Sequence, residues 1–466
     1  MTLSDKIAAL STEPNSHVAG ELAATVKLAA PMAATQLGQI AMMTTDLAFI
    51  GRLGDASVAA AALASTVYFV AFTVGMGLMS AVSPLAAQAF GARDGRGVRR
   101  SLRAGLWAGL FISLPIMACP LRGDAILRAL GQAEQPAQLA QQYLFGLAWG
   151  VAPALWLIAI RGFMGAVKRP EPVLWITLAA IPLNAALVYL LLYGEFGLPK
   201  LGLFGAGLAT SIVNACTFLA GLWFATAREP FARYHVLARL WRIDWELMRQ
   251  LVVIGGPISL SFLLEYGLFS TAALLMGMIS TTALAAHQIA LNVTAILFMI
   301  PYGISMAATV RVGHAVGGGD VAGVKRAGQI AMGLGIAIAV MLTIAVIGLR
   351  FGIARLFLGE GLASADATVT LAGSLLVIGG TYFVTDALQT IAAGALRGMN
   401  DTRIPLLFAA VSYWGIGFCS AYALAFHTTL GASGVWIGLS LGTLVYATLL
   451  VLRFHLLSGR LLADDM

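Results

Sequence analysis

The stretch GARDGRGVRR, residues 91–100, reappears further along the chain as GGGDVAGVKR, residues 317–326. An offset of 226 residues aligns the two segments without a gap. The same offset aligns further pairs: Pro31 with Pro257, Gly51 with Gly277, Phe72 with Phe298 and Gly77 with Gly303. The chain therefore consists of two related halves.

The sequence around this repeat is too apolar for a water-soluble protein. Of the 466 residues, 59% are hydrophobic and only 11% are charged, and the mean hydropathy is +0.88. A soluble domain carries roughly 25% charged residues, which help to cover its surface. Soluble enzymes, secreted scaffolds and disordered proteins are excluded, and we predict a polytopic membrane protein.

Long apolar runs predict twelve transmembrane helices, because a span needs about 20 apolar residues and lipid cannot satisfy an open backbone. They lie near residues 22–51, 57–89, 98–120, 136–160, 170–193, 202–226, 248–279, 283–316, 323–349, 366–396, 404–426 and 432–457. The predicted fold class is all-α. One repeat contains six helices, an even number, so we expect two parallel six-helix lobes related by pseudo-two-fold symmetry.

The basic residues predict the orientation of the chain in the membrane. Most of the 28 Lys and Arg residues fall on one side, which the positive-inside rule identifies as cytoplasmic, together with both termini. The exceptions are Arg52, Arg122, Arg128, Lys200, Arg350 and Arg355. The net charge of +7 is explained by topology and anionic lipid, so we expect a lipid bilayer and no nucleic acid as partner.

These assignments divide the chain into five predicted regions. They are a cytoplasmic tail at 1–21, an N-lobe at 22–226, a cytoplasmic linker at 227–247, a C-lobe at 248–457 and a cytoplasmic tail at 458–466. The charged stretch 227–249 is predicted to form an amphipathic helix on the inner membrane surface.

Three acidic residues lie inside apolar runs. They are Asp46 in MMTTDLAFIG, Glu265 in SLSFLLEYGLFS and Asp386 in TYFVTDALQT. A carboxylate in hydrocarbon costs a few kcal/mol, so such residues usually face an interior cavity and have a function. These three can load and release H⁺ or coordinate Na⁺, and a Na⁺ site at Glu265 and Asp386 is one expectation.

Other polar residues in the spans could support such cation sites. Tyr382 lies one helical turn before Asp386, and Asn184 and Thr210 belong to the half that contains Asp46. Gln39 and Gln389 complete the predicted supporting set. Asn, Gln and Thr also join helices to one another, so a structural role stays open for each of them.

Two further groups of residues are predicted to form hinges and a substrate cavity. Pro31 and Pro257 occupy matched positions in the repeat, where a hinge and a fixed bend are equally expected. The predicted substrate cavity is lined by Met and aromatic side chains, which suit flat apolar cations. It contains Met42, Phe298, Met299 and Tyr302.

Motifs for covalent chemistry are missing from the sequence. It contains no GxxxxGK[ST], HExxH or CxxC, and its three cysteines, Cys119, Cys216 and Cys419, are far apart. We therefore expect no catalytic residues, no enzymatic activity and no cofactor apart from H⁺ or Na⁺ as a coupling ion.

The arrangement of these acids resembles the multidrug and toxic compound extrusion (MATE) transporters. Like that family, the chain has an Asp late in the first span, a Glu in the seventh and an Asp in the tenth. The last is followed by Gln389 and by LRGMNDTRIP, residues 396–405, which is similar to the bacterial NorM-type branch. The resemblance covers residues 22–457.

The resemblance implies roles for individual residues. Glu265, Asp386 and Tyr382 would match the cation site of the C-terminal half. Asp46, Asn184 and Thr210 would match the polar cluster of the N-terminal half, and Pro31 the family's bent-helix proline. Position 180 is Ala where the family often has Asn, which favours H⁺ over Na⁺ at the N-terminal site.

The sequence thus predicts a monomeric antiporter that exports cationic or amphiphilic drugs in exchange for H⁺ or Na⁺ by rocking of its two lobes. A flippase for lipid-linked oligosaccharides of the same fold superfamily is the alternative, although it would need a cationic cavity. A membrane-embedded enzyme and a channel are the other classes considered. The first would need clustered catalytic residues, and the second a filter-like segment.

Overall fold

A computed structural model describes residues 3–129, 131–194, 197, 199–358 and 365–464 of the protein. Within these residues the regular structure is helical and contains no strand. The first half of the chain forms α1 (Leu3–Gly51), α2 (Asp55–Ser80), α3 (Val82–Gly91), α4 (Gly95–Leu121), α5 (Gly123–Ala129), α6 (Glu134–Ala148), α7 (Val151–Ala166), α8 (Glu171–Tyr193) and α9 (Gly202–Ala227).

The second half contains longer helices. It forms α10 (Trp245–Ile279), α11 (Thr281–Gly317), α12 (Val321–Leu358), α13 (Ala365–Gly398), α14 (Arg403–Ala409), a π-helical segment (Ala410–Phe418), α15 (Cys419–Phe426) and α16 (Ala432–Asp464). The segment α14–α15 is continuous and matches the predicted span 404–426. The predicted all-α membrane fold is confirmed.

Among the described residues, ten helices are long and apolar enough to cross a membrane, or eleven if α6 and α7 count as one span. These two helices are bent by 47° at their junction and together occupy the predicted span 136–160. The predicted span 22–51 lies in α1, which is not among the ten. Gln36, Gln39 and Asp46 interrupt its apolar run, which explains the difference from the predicted twelve.

The start of α1 and the linker differ from their predictions. The helix α1 begins at Leu3, well before the predicted boundary at residue 22. The predicted amphipathic helix over 227–249 is wrong: the chain forms a short 3-10 helix, Phe231–Tyr234, and then turns until α10 begins. His235 and Arg239 have φ values of 46° and 57°, which a regular helix cannot contain.

The chain folds into two compact units. The N-unit contains residues 34–263, and the C-unit contains the chain up to Ala33 together with Leu264 onward. The boundaries fall inside α1 and α10, two residues after Pro31 and six residues after Pro257. The five-region division from the sequence, and the hinge roles of the two prolines, stay predictions.

Two glycines matched by the repeat lie where each unit packs against a helical segment from the other half of the chain. A Cβ atom on Gly77 of α2 would lie 2.5 Å from the backbone nitrogen of Ser259 in α10. A Cβ atom on Gly303 of α11 would lie 2.6 Å from the backbone of Ala33 in α1. Ser259 and Ala33 are themselves related by the offset of 226 residues. Each unit therefore takes one helical segment from the other half of the chain.

Apolar side chains fill the N-unit in two clusters. One surrounds Phe163 and Leu155 and continues into the linker through Phe231 and Val236, both almost fully buried. The other surrounds Leu144 and joins α1, α2, α5, α6, α8 and α9. These clusters fix the helices on which the polar residues of the N-unit lie.

Candidate functional site

Asp46 lies at the centre of a polar cluster in the N-unit. It is almost completely buried, and so is Asn184. The Asn184 amide on α8 donates a hydrogen bond to Asp46 Oδ1 at 2.5 Å. The Thr210 hydroxyl on α9 lies 3.3 Å from Asp46 Oδ2. The structure therefore brings together three residues that are far apart in the sequence, as the sequence predicted.

Tyr143 belongs to the surroundings of Asp46, and sequence reasoning missed it. Tyr143 on α6 interacts electrostatically with Asp46 and with Tyr68 on α2, and it is buried. No sequence pattern distinguished Tyr143 from apolar packing residues. Together with Asn184 and Thr210, it gives this carboxyl group a polar environment.

The other predicted supporting residue of the N-unit, Gln39, is half-buried in α1. One turn earlier, Gln36 is buried and accepts a hydrogen bond from Arg161 Nη1 at 2.6 Å. Arg161 lies in α7 and is itself almost fully buried. The polar contact between α1 and α7 thus passes through Gln36.

Asp386 is the centre of a second polar cluster, in the C-unit. It is buried on α13 and accepts a hydrogen bond from Gln389 Nε2 at 2.8 Å, one turn further on. The Tyr382 hydroxyl, one turn earlier, donates a second hydrogen bond to it. The spacing of these three residues on one helix is what the sequence predicted.

Glu265 reaches this cluster from α10. It interacts electrostatically with Asp386 and accepts a hydrogen bond from the Tyr413 hydroxyl. Tyr413 lies in the π-helical segment, where the wider turn is a common feature of functional sites. The next residue, Trp414, donates its indole N–H to the backbone oxygen of Leu264 at 3.2 Å. The π-helical segment therefore holds both Glu265 and its preceding residue.

A basic residue and a further tyrosine complete the charged part of the cluster. Arg397, near the end of α13, interacts electrostatically with Glu265 and with Tyr446 of α16. The Tyr446 ring packs against Tyr413 with centroids 5.0 Å apart. Arg397-Gly398 echoes Arg161-Gly162 in the other half, and this echo is the signal from which Arg397 could have been found.

Aromatic side chains enclose Tyr382. Its ring contacts Phe269, Phe383 and Trp436, with centroid distances of 6.1, 6.4 and 5.7 Å. The Trp436 indole N–H donates to His287 Nδ1 at 3.2 Å, and both side chains are fully buried. Because Nδ1 is an acceptor, a neutral His287 carries its proton on Nε2, which has no hydrogen-bond partner among the described residues.

The donor set of the C-unit cluster suits a small hard cation or a proton. Gln389 Oε1 is buried beside Asp386 without a donor among the described residues. Na⁺, like other hard cations, is coordinated by oxygen atoms, which carboxylate, amide and phenol groups provide. The described part of the chain holds no group of three or more His, Cys, Asp or Glu residues that would form a transition-metal site.

A cavity in the C-unit connects Asp386 with part of the predicted substrate lining. Its walls include Phe298, Pro301 and Phe383 as well as Asp386. Tyr302 stacks on Phe298 with ring centroids 5.6 Å apart, and Met299 is half-buried on the same helix. The fourth predicted residue, Met42, is half-buried on α1 in the N-unit, one turn before Asp46.

The helical fold and the buried acidic clusters define a multi-pass membrane protein of the transporter class. The family model MatE matches residues 31–190 and 257–423. The chain belongs to this family, and the predicted resemblance to its bacterial NorM-type branch is confirmed by curated relatives.

Two relatives carry the description "Probable multidrug resistance protein NorM". The one from Bradyrhizobium diazoefficiens is 66% identical over 448 residues, which are 96% of this chain and 96% of that protein. The one from Rhodopseudomonas palustris is 56% identical over 450 residues, which are 97% and 95%.

Solved structures share the fold. A eukaryotic MATE transporter matches with a TM-score of 0.84 at 22% identity, over 96% of this chain and all of the other. An outward-facing MATE family transporter of the MOP superfamily also matches with a TM-score of 0.84 at 22% identity, over 95% and 96%.

Proposed function

We propose that this chain is a multidrug efflux transporter that exports cationic or amphiphilic drugs in exchange for H⁺ or Na⁺. Two relatives that resemble it over nearly their whole length carry the description "Probable multidrug resistance protein NorM". The protein acts as a monomer in the bacterial inner membrane. Its basic loops predict that both termini lie in the cytoplasm. It needs no cofactor besides the coupling ion.

The observation that carries the coupling is the pair formed by Glu265 and Asp386. Two carboxylates that interact inside an apolar bundle repel each other, and a bound H⁺ or Na⁺ relieves this repulsion. The buried Gln389 Oε1 provides a further acceptor for a cation. A small cavity that Phe298 and Phe383 line reaches the same Asp386 and has room for about one water molecule or small ion. In a second state of the protein, in which this cavity is wider, a cationic drug and the coupling ion would compete for one carboxylate.

Such competition links drug release to ion entry. A drug cation bound near Asp386 leaves when H⁺ or Na⁺ neutralises the carboxyl group, and the reverse exchange reloads the drug. Exchange then needs two states of the protein with different affinities for the two ligands. The helical segments around Pro31 and Pro257, close to the unit boundaries, are the proposed places where those states differ.

Transport by proteoliposomes tests this function. The efflux of a fluorescent organic cation is measured with a pH gradient and a Na⁺ gradient imposed separately. We expect Glu265→Gln and Asp386→Asn to lower gradient-driven efflux at least ~10-fold, which corresponds to the loss of about 1.4 kcal/mol or more. Asp46→Asn tests the N-unit cluster in the same assay.

The matched control is Glu134→Gln, which changes an exposed acid at the start of α6. We expect it to stay within about twofold of the unaltered protein because a surface charge contributes little. The coupling assignment is wrong if the Asp46, Glu265 and Asp386 variants all transport as well as this control.

A further inference from the structure

The cytoplasmic end of α4 and the linker carry an excess of arginine. The segments 93–103 and 239–246 together contain seven arginines and three acidic residues. We call these two segments the basic cap. They lie in the N-unit, and nothing in the proposed transport cycle uses them.

Hydrogen bonds join the two segments of the basic cap. Arg100 Nε binds Asp244 Oδ2 at 2.5 Å. Arg103 Nη1 donates to the backbone oxygen of Arg239 at 3.2 Å, and Trp107 Nε1 donates to the backbone oxygen of Leu240 at 2.7 Å. The linker is therefore fixed against α4, which brings Arg242 close to Arg99, Arg100 and Arg103.

The charges in the basic cap are not balanced. Arg103 is more than nine-tenths buried. It interacts electrostatically with three other arginines, Arg99, Arg100 and Arg242, and with the carboxylate of Asp244. The Oδ2 atom of Asp244 is 4.0 Å from Arg103 Nη2. Asp94 and Glu246 act on Arg100. The Nε atoms of Arg99 and Arg103 are buried and have no acceptor among the described residues. The basic cap thus has more arginines than carboxylates to balance them.

Exposed tryptophans lie beside these arginines. Trp241 and Trp245 are 76% and 66% exposed. Trp245 stacks on Phe111 with ring centroids 6.4 Å apart, and Phe111 stacks on Trp107 at 5.8 Å. Trp241 lies outside every candidate span, whereas Trp245 is the first residue of one. Tryptophan at the end of a span is typical of the membrane–water interface.

We propose that the basic cap binds the phosphate headgroup of an anionic phospholipid. The positively charged arginines attract such a headgroup, and the tryptophans lie beside it at the membrane–water interface. The site lies at the beginning of α4 and α10, where a lipid can reach it. Only the choice of the inner leaflet rests on the proposed orientation, and the binding itself is independent of the proposed transport function.

The equivalent region of the C-unit provides a matched comparison. The repeat aligns Arg99 and Arg100 with Lys325 and Arg326. In this region Arg326 lies 3.9 Å from Asp320, and Arg311 forms an ion pair with Glu21 at 2.5 Å. Because basic and acidic residues are paired there, we expect no comparable excess of positive charge and no lipid site.

Tryptophan quenching by brominated lipids tests the proposal. The full chain in neutral detergent is titrated with dibromo-phosphatidylglycerol and, separately, with dibromo-phosphatidylcholine. We expect quenching at lower concentration with phosphatidylglycerol. Arg242→Gln should weaken its apparent affinity ~5-fold, and Arg99→Gln with Arg242→Gln ~25-fold, since each basic residue near an anionic surface contributes about 1 kcal/mol. Lys325→Gln should leave the affinity unchanged.

A second variant keeps all arginines in place. Trp241→Phe should remove part of the quenching that is specific to phosphatidylglycerol without changing thermal stability in phosphatidylcholine. Equal quenching of the unaltered protein by the two lipids would overturn the proposal. It would also be overturned if the double arginine variant kept its affinity, or if 10 mM inorganic phosphate (on the order of a saturating concentration for a simple anion site) abolished the difference between the lipids.

Discussion

The two acidic clusters are built differently although the halves that contain them repeat. In the N-unit, Asp46 stands alone among neutral donors from Asn184 and Thr210. In the C-unit, Asp386 interacts with a second carboxylate, Glu265, and Arg397 interacts electrostatically with Glu265. Neutral donors satisfy a single carboxylate, whereas two neighbouring carboxylates repel each other until a cation binds. This difference indicates that the C-unit has the greater need for H⁺ or Na⁺.

The repeat itself shows that the clusters are not symmetry mates. The offset of 226 residues places Gln39 at the position of Glu265, and it places Asp46 at the position of Ala272. The helix α10 thus carries its acid about two turns earlier than α1. The halves kept the helical scaffold, shown by Gly77 and Gly303, and differ in where each places its charge.

The largest expected effect concerns cation binding by the two clusters. Asp386→Asn should lower the affinity for the coupling ion at least ~10-fold, because it removes the repulsion that the ion relieves. Asp46→Asn should change this affinity less than ~3-fold. The measurement is ²²Na⁺ binding and, in parallel, proton release on addition of drug. The opposite ranking would place the coupling ion in the N-unit.

The exchange of helical segments should make the two units equally sensitive at their matched glycines. Gly77→Ala and Gly303→Ala each place a Cβ atom 2.4 to 2.6 Å from the backbone of the neighbouring helix. We expect each variant to lose about 1–3 kcal/mol of stability through overpacking, measured as a lower midpoint of thermal unfolding.

The control for the glycine variants is Gly256→Ala in α10, where an added Cβ meets nothing within 4 Å. Its stability should be unchanged or slightly higher, because alanine has the better helix propensity. If Gly77→Ala behaves like this control while Gly303→Ala does not, the exchanged segments do not pack equivalently.

His287 tests whether the aromatic enclosure of Tyr382 matters for the C-unit cluster. His287→Leu leaves the Trp436 indole N–H buried without an acceptor, which costs about 1–3 kcal/mol. We expect a drop in gradient-driven efflux of ~3- to 10-fold with drug binding largely kept. His287→Asn, which retains an acceptor, should restore most of the rate. Equal efflux rates for the two substitutions would show that His287 contributes only by packing and not through its hydrogen bond to Trp436.

The smallest effect concerns the linker of the N-unit. The hydrogen bond from Arg100 holds the pKa of Asp244 below its usual range. A carboxyl group whose folded-state pKa is lowered stabilises the protein above its unfolded pKa of ~3.9, and the contribution is lost as the pH falls through the folded value.

Asp244→Asn should therefore cost about 0.5–1 kcal/mol at pH 7, and the difference from the unaltered protein should shrink below about pH 4. Thermal unfolding from pH 3 to pH 7 measures this difference. A difference that stays constant down to pH 3 would show that the Arg100–Asp244 pair does not stabilise the linker.

Particular residues show how far the sequence could be read. The proximity of Tyr382, Asp386 and Gln389 was predictable because the three residues lie on one helix at a spacing of three or four. The sequence also predicted that Asn184 and Thr210 belong to one cluster with Asp46. Their contacts with Asp46 depend on how α8 and α9 pack against α1. Tyr413 and Tyr446 could not be placed at Glu265, because a π-helical segment and the packing of α16 bring them there.

The sequence by itself determined that this chain crosses a membrane as helices, that its halves repeat and that three carboxyl groups lie in apolar runs. These properties depend on local composition and periodicity. The tertiary structure alone decided that α1 and α10 each divide between two units, that Glu265 and Asp386 interact, and that α4 and the linker unite their arginines. These properties depend on contacts between residues far apart in the chain, for which no local pattern is required.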